Sequence, residues 1–365
     1  MTVSQSVIYS DYLQLEKLLS CQSPVSPEKN VSAHDEMLFI TIHQTYELWF
    51  KQILHELNSV ISMFDDNFVD ERNIGVALGR IERIVEIEKL LINQIDVLET
   101  MTPLDFLDFR HLLIGASGFQ SSQFRLIENL LGLDPKERVG YSSCPYFASL
   151  KEKEREQVIQ SEQNASLFSV LDQWLARTPF LDFQNYRFVD QYKAAFKVKM
   201  DREHEEVVKS QILDSDEKKS RSKSINATRD YVLSMLSENS YKKVQEQGQA
   251  RFSYQAFIAA IFINLYRDQP ILHMPFKLLS GILEVDEYLN LWRHRHAVMV
   301  HRMIGTKMGT GGSTGHDYLQ QTTEHHRVFS DLYNLSTLLI PRSELPELPE
   351  DFQSKLGFFF SSMGS

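Results

Sequence analysis

The chain is poor in cysteine, with only Cys21 and Cys144 among its 365 residues. Two cysteines so far apart exclude a disulfide framework and a zinc knuckle, and there is no Cys-x-x-Cys-His attachment motif. Long apolar runs are also missing, because no uninterrupted stretch approaches the ~20 residues needed to cross a bilayer. The first residues lack the basic and apolar regions of a signal peptide. We therefore expect a cytoplasmic protein with no membrane partner.

Basic residues are too few to balance the acidic ones. The 38 Lys and Arg stand against 49 Asp and Glu, which gives a formal net charge of -11. Because proteins bind phosphate backbones through dense basic patches, this balance argues against a nucleic-acid partner. The hydrophobic share of 42% and the charged share of 24% are normal for a globular protein with a substantial core.

Glycine and proline are sparse, at 15 and 11 residues. Apolar residues recur every three or four positions over long stretches, whereas runs with the period of two that is typical of strands are hard to find. The sequence predicts an all-α fold, a single large helical domain of long helices. We expect helices at about 32–64, 74–100, 103–113, 119–131, 151–177 and 253–266, one opened by Pro275, and others at 286–304 and 316–340.

The segment 199–229 is rich in charges of both signs. A run of this kind is most often a solvated face of the protein. The sequence therefore predicts a charged helical insertion at the periphery of the domain.

One imidazole lies among aromatic rings in the first long helix. Phe39, His43, Tyr46 and Phe50 follow the i, i+4, i+7, i+11 rule and share one face. A neighbouring face is apolar as well, so the helix is predicted to be buried. Taken alone, the pattern favours a core histidine held by one hydrogen bond, with a dry pocket for a flat ligand as the alternative.

A later helix carries three histidines that its geometry separates. Trp292 and His296 lie on one apolar face, whereas His294 and His301 point roughly 140–160° away from His296. Because it is flanked by apolar and aromatic residues, His296 is the better candidate for an axial ligand of a haem. From these residues alone, a core histidine is still the favoured interpretation.

Two further features leave alternatives open. Arg110 follows aromatic residues at i−1 and i−4, so it either pairs with Asp105 or Asp108 at the surface or offers its planar fork to a substrate carboxylate. The glycine-rich loop 309–315 lacks the Gly-Lys-Ser/Thr ending of a phosphate-binding loop. It either lets backbone and Thr310 approach a small ligand or merely connects two helices.

Other catalytic patterns are weak or missing. The His-x-Glu spacing at His34 and at His204 lacks the second distant histidine of a non-haem iron triad. There is no His-Glu-x-x-His zinc motif and no serine in a nucleophile elbow. Hydrolase chemistry is therefore not indicated.

Taken together, these segments resemble the tryptophan 2,3-dioxygenase family, whose members are cytoplasmic haem enzymes. The resemblance covers nearly the whole chain and follows the order of the family's motifs. Those motifs lie at 8–15, 43–52, 98–106, 116–121, 292–303, 309–315 and 334–337.

The resemblance implies a role for each of several residues. His296 would be the proximal haem ligand, with Trp292 beside the haem, and His43 would be the distal histidine that faces the indole nitrogen. The remaining implied contacts are to substrate: Phe39, Phe106 and Leu113 wall the indole, Arg110 binds the carboxylate, Ser117 and Thr310 line the amino-acid end, and Tyr9 and Tyr12 complete a neighbouring subunit's pocket.

The resemblance also implies an activity and an assembly. The reaction would insert both atoms of O2 across the indole C2–C3 bond of L-tryptophan and give N-formylkynurenine, with haem b as the cofactor. We expect a homotetramer in which residues 1–33 form an arm that reaches a neighbouring subunit, while residues 34–365 form the helical haem domain.

The chain departs from the family's usual residues at Ile114-Gly115, at His294 and at His316-Asp317. These departures leave open a related haem enzyme that oxidises a modified tryptophan or another indole. A haem sensor or carrier is the alternative from another class, but it would need no group to bind a carboxylate.

Overall fold

The computed structural model describes residues 7–66, 69–138, 145–179, 181–183, 186–307 and 315–357. The chain begins with two short helices and then forms the long helices of the core. The helices are α1 Tyr9–Tyr12, α2 Leu15–Leu19, α3 Glu36–Phe64, α4 Glu71–Leu98, α5 Pro103–Arg110, α6 Ser122–Leu131, α7 Glu152–Ser161, α8 Leu167–Ala176, α9 Phe188–Lys209, α10 Ser215–Met235, α11 Glu238–Glu246, α12 Tyr254–Leu265, α13 Pro270–Ile304, α14 Gly315–His325, α15 Ser330–Asn334 and α16 Glu350–Leu356.

The remaining elements are short. Strands β1 Asp182–Phe183 and β2 Tyr186–Arg187 form one antiparallel pair. Single turns of 3-10 helix lie at Pro27–Lys29, His111–Leu113, Gly118–Gln120, Pro135–Glu137, Leu335–Leu338 and Arg342–Glu344. The predicted all-α fold is confirmed.

Helices α3, α4 and α13 form the centre of the molecule, since α4 packs against both of the others. Helix α12 packs against α8 and is apolar on every side, with Ala256 through Ile263 all buried. A helix without a polar face must lie inside the core. Across the ranges given above, no helix has both the length and the apolarity to span a membrane.

Helix α13 is longer than the sequence predicted. It begins at Pro270, which occupies the first helical position, and continues past Pro275 without a break to Ile304. Proline at the first position loses no intrahelical bond, whereas Pro275 removes one hydrogen bond of the second turn. Apolar residues buried along the whole length of the helix keep it continuous. The prediction of two helices, divided near residue 286, was wrong.

Two other predicted helices are divided. The stretch 151–177 forms α7 and α8, and Ser166 caps the second by accepting a hydrogen bond from the Ser169 backbone N–H at 3.2 Å. The stretch 316–340 is interrupted after His325, where the Val328 backbone N–H donates to Asp286 Oδ1 at 3.0 Å. The second break depends on a contact with α13 that no local pattern could reveal.

The charged segment 199–229 lies on the second half of α9 and most of α10, which pack against each other. Met200 is the only buried residue in this segment. The two helices reach the core through other positions, including Tyr192 and Phe196 in α9 and Val232 in α10. The charged side chains of this segment therefore face away from the core, and the domain boundaries stay a prediction.

Candidate functional site

Helices α3, α4, α5, α6, α13 and α14 enclose a cavity of about 300 Å³ whose wall is mostly apolar. Seven of the predicted site residues line it. They are Phe39 and His43 from α3, Phe106 and Arg110 from α5, Ser117 from the following loop, and Trp292 and His296 from α13.

His296 lies on the cavity face of α13. Its imidazole stacks on the indole of Trp292 with ring centroids 5.3 Å apart and an interplanar angle of 12°. Enclosure by the protein, together with a smaller effect of the nearby His43, lowers the pKa of His296 to about 4. Within the part of the chain that the structure describes, neither ring nitrogen of His296 makes a hydrogen bond. A neutral imidazole of this kind is suited to coordinate a metal.

The two histidines of α13 that flank His296, His294 and His301, lie outside the cavity. His294 and His301 are both exposed, as the helical spacing predicted. Because His294 points away from the site, its departure from the family's usual residue does not change the cavity wall. Ile114, another departure, is 85% exposed and is also absent from the wall.

His43 lies on α3 with one ring nitrogen already used. Its Nδ1 is 2.7 Å from the carbonyl oxygen of Phe39, one turn earlier. A carbonyl oxygen can only accept, so Nδ1 carries the proton and Nε2 is left as an acceptor. Enclosure by the protein lowers the pKa of His43, an effect that the Phe39 carbonyl and the Glu47 carboxylate partly oppose. The ring is therefore neutral near pH 7.

Three phenylalanine rings form a cluster beside His43. Phe39 lies 5.7 Å from Phe106 in a stacked arrangement, and Phe109 meets both rings edge-on at 5.6 and 5.5 Å. Offset and edge-on geometries are the preferred packings of aromatic rings. Phe39 and Phe106 reach the cavity, while Phe109 is fully buried behind them. The cluster presents a flat apolar wall.

Helix α5 sets the positions of Phe106 and Arg110. It starts at Pro103 with a reciprocal cap, in which the Asp105 backbone N–H donates to the Thr102 hydroxyl and the Thr102 N–H donates to Asp105. Phe106 and Arg110 are four residues apart, so they share a face of the helix. The Asp105 carboxylate, one surface partner considered for Arg110, serves in this cap.

Three of the predicted site residues do not line the cavity, and a fourth lies outside the described residues. Leu113 lies in the 3-10 turn after α5 and packs half-buried against the core without forming part of the wall. Tyr9 and Tyr12, in α1, are 73% and 75% exposed. Thr310 and the rest of the glycine-rich loop through residue 314 lie outside the described residues, and the side chains of His316 and Asp317 are likewise not described.

A buried ion cluster that no sequence pattern indicated lies at one end of the cavity. Glu128 Oε2 accepts from Arg125 at 3.0 Å and from Arg138 at 2.9 Å, while Oε1 accepts from Arg293 at 3.0 Å and from His326 at 3.2 Å. Burial raises the pKa of Glu128, but the three guanidinium groups and the His326 bond outweigh burial and hold it well below its usual range. Arg125, Glu128 and Arg293 also line the cavity.

The chain is similar to known proteins over nearly all of its length. A family model described as Tryptophan 2,3-dioxygenase matches residues 1–339. A protein named tryptophan 2,3-dioxygenase from Bdellovibrio bacteriovorus is 47% identical over 97% of this chain and 99% of its own length. Proteins of the same name from Dictyostelium discoideum and Mus musculus are 43% and 42% identical, over 99% and 94% of this chain and 90% and 84% of their own lengths.

Proposed function

Because the chain belongs to the tryptophan 2,3-dioxygenase family, we propose that it is a haem-dependent dioxygenase acting on L-tryptophan. It uses O2 to cleave the indole C2–C3 bond and releases N-formylkynurenine, a step of tryptophan catabolism. One observation supports this proposal above the others: His43 and His296, from different helices, line a single apolar cavity that also receives the guanidinium-bearing Arg110.

The residues present fit haem b. The wall of the cavity is mostly apolar, as a planar macrocycle requires, and His296 offers a neutral imidazole whose nitrogens have no other partner in the described chain. Among the described residues, no three His, Cys, Asp or Glu side chains converge as a protein-only metal site. His296 would hold the iron and Trp292 would pack beside it. When bound, haem supplies the binding and activation of O2.

His43 orients the substrate. Its Nε2 is the free acceptor, since Nδ1 is committed to the Phe39 carbonyl, and the indole N–H is the matching donor. The lowered pKa makes His43 a weak base, so its task is to accept a hydrogen bond without removing the proton. The substrate ring is held between this bond and the wall formed by Phe39 and Phe106, which fixes C2 and C3 relative to the reacting oxygen.

The amino-acid part of tryptophan needs polar partners. Arg110 binds the carboxylate with its planar fork, a geometry that pairs two N–H donors with two oxygens. Ser117, on the cavity wall, and Thr310 bind the amino-acid end. Leu113 supports the indole wall from behind, since it packs on the core next to α5.

The active protein is a cytoplasmic homotetramer in this proposal. Residues 1–33 form an arm, and the exposed rings of Tyr9 and Tyr12 cover the pocket of a neighbouring subunit. Two tyrosines three residues apart share a helical face, and burial of that face against another subunit would remove a large apolar area from water.

Production of N-formylkynurenine tests the proposed function. Protein loaded with haem and reduced with ascorbate should convert L-tryptophan in air, and the absorbance of the product should rise linearly with enzyme concentration. His296→Ala should lose both haem and product, whereas His294→Ala, an exposed change on the same helix, should keep both. A haem-replete His296→Ala protein with an unchanged Soret band and rate would refute the ligand assignment.

A further inference from the structure

Five side chains form a buried group that we name the Glu128 cluster: Glu128, Arg125, Arg138, Arg293 and His326. Glu128 is the common acceptor, and it is 1% exposed. Arg125 and Glu128 belong to α6, Arg138 follows α6, Arg293 belongs to α13, and His326 follows α14. One carboxylate therefore joins segments up to 198 residues apart in the sequence.

Arg293 connects this cluster to the centre of α13. Its Nη2 donates to Glu128 Oε1 at 3.0 Å, and its Nη1 donates to the His326 carbonyl oxygen at 2.9 Å. These two bonds run in different directions from one planar group, so they restrict both rotation and sliding of the helix. His296 lies three residues further on, about 4.5 Å along the axis and about 60° around it.

The His296 ring is oriented mainly by contacts within its own helix, α13. Metal-binding histidines are normally oriented by a hydrogen bond from the second ring nitrogen. Within the described chain His296 has no such bond, and its one close ring contact is the stack on Trp292, a residue of the same helix. Trp292 is in turn packed against Phe124 of α6 at 5.2 Å. The ring therefore follows any movement of α13 relative to α6.

We propose that Glu128 is a positioning residue for His296. Through Arg293 it fixes α13 against α6 and the segment after α14, and it thereby sets the angle at which the His296 imidazole meets a bound metal. The inference rests on the proposed function, because His296 is a ligand only in that account. Glu128 itself does not need to contact substrate or cofactor for this role.

The test measures the bond between iron and imidazole in the reduced, haem-loaded protein by resonance Raman spectroscopy. Glu128→Gln keeps the shape of the side chain but removes the charge that three arginines share. Arg293→Lys keeps the positive charge but cannot reach Glu128 and the His326 carbonyl together. Each change should shift the iron–imidazole stretching band by several wavenumbers and broaden it. If Glu128→Gln does not fold, Arg293→Lys carries the test.

The control is another buried carboxylate. Glu56, 3% exposed, accepts from Arg83 at 2.8 Å between α3 and α4 and does not line the cavity. Glu56→Gln should leave the band where it is in the wild type. If Glu128→Gln and Arg293→Lys both leave the band unmoved, or if Glu56→Gln shifts it equally, the positioning role is wrong.

An imidazole that is not attached to α13 distinguishes a failure of the positioning role from a failure of the proposed function. In His296→Gly, added imidazole should occupy the vacated position without a covalent link to α13. Its band should then be the same with and without Glu128→Gln, because the free ligand no longer follows the helix. A shift of the free-imidazole band by Glu128→Gln would overturn the positioning role. If His296→Gly shows the wild-type band without added imidazole, the ligand assignment itself fails.

Discussion

The Nδ1 of His43 donates to the carbonyl oxygen of Phe39 at 2.7 Å, and the two rings lie 4.1 Å apart, centroid to centroid. This one bond fixes the tautomer of the imidazole and restricts its rotation. The opposite nitrogen, Nε2, is therefore an acceptor in a fixed position. The hydrogen bond proposed for the indole N–H depends on that relationship.

Replacement of His43 by serine tests this hydrogen bond. His43→Ser should bind haem normally and retain reduced turnover, with a loss of about 1 kcal/mol in substrate binding, the usual net value of one neutral hydrogen bond. In the wild type, 1-methyltryptophan should bind several times more weakly than tryptophan, and in His43→Ser the two should bind alike. Equal dissociation constants for the two ligands in the wild type would show that the bond does not exist.

Arg110 provides a second test, because lysine retains the charge but not the planar fork. Arg110→Lys should lower kcat/KM for L-tryptophan. The expected loss of transition-state stabilisation is roughly 2–4 kcal/mol, the range for truncation of a desolvated charge pair. The matched comparison is tryptamine, which has no carboxylate and should be turned over at similar low rates by both proteins. An unchanged kcat/KM for L-tryptophan would show that Arg110 does not bind the substrate carboxylate.

The buried carboxyl of Glu88 makes the stability of the protein depend on pH. Burial raises its pKa well above the ordinary 4.5; the charge of Asp286 adds to this, and Arg293 opposes it. The folded protein therefore retains a proton that the unfolded chain releases. The stabilising contribution of Glu88 is complete below pH 4.5 and declines as the pH rises toward its folded-state pKa.

Glu88→Gln should consequently raise the Tm at pH 7.5, because glutamine keeps the neutral form at all pH values. The same change should have little effect at pH 4. Glu82→Gln, an exposed change on the same helix, is the control and should change neither value. A lower Tm for Glu88→Gln at pH 7.5 would mean that the folded protein stabilises the ionised carboxylate.

The exposed tyrosines of α1 predict complementation between subunits. An Arg110→Ala protein and a Tyr9→Ala/Tyr12→Ala protein should each have low activity. When their subunits are allowed to exchange, some interfaces should regain one complete pocket, and the activity of the mixture should exceed that of both parents. Exchange that is demonstrated by mass labelling but brings no gain would show that each subunit closes its own pocket.

Local signals were sufficient for helices α3, α4, α5, α6 and α12, whose predicted bounds agree with the structure to within a few residues. Pro103 indicates the start of α5 in the sequence, and in the structure it occupies the first helical position, next to the cap that Thr102 and Asp105 form. The break before Val328 could not be predicted, because the backbone there is held by Asp286, 42 residues earlier. Sequence patterns report on neighbours along the chain, whereas this break depends on a tertiary contact.

The candidate site likewise contains residues that local patterns predicted and residues that they did not. Helical spacing correctly placed His296 on a face different from those of His294 and His301, because the angle between residues of one helix is a local property. The Glu128 cluster was missed, since Arg293 and Glu128 are 165 residues apart and no local pattern connects them. The choice of Arg110 and His43 as substrate-binding residues came from the resemblance to the family, since their own patterns left the question open.

The central claim is that both atoms of molecular oxygen enter the tryptophan side chain at the indole C2–C3 bond. The most direct measurement is a single incubation of the haem-loaded, reduced protein with L-tryptophan under ¹⁸O2, followed at once by mass spectrometry of the product. We expect N-formylkynurenine in which both new oxygen atoms are labelled. A product with one labelled atom, or an oxidised tryptophan whose indole ring is intact, would contradict it.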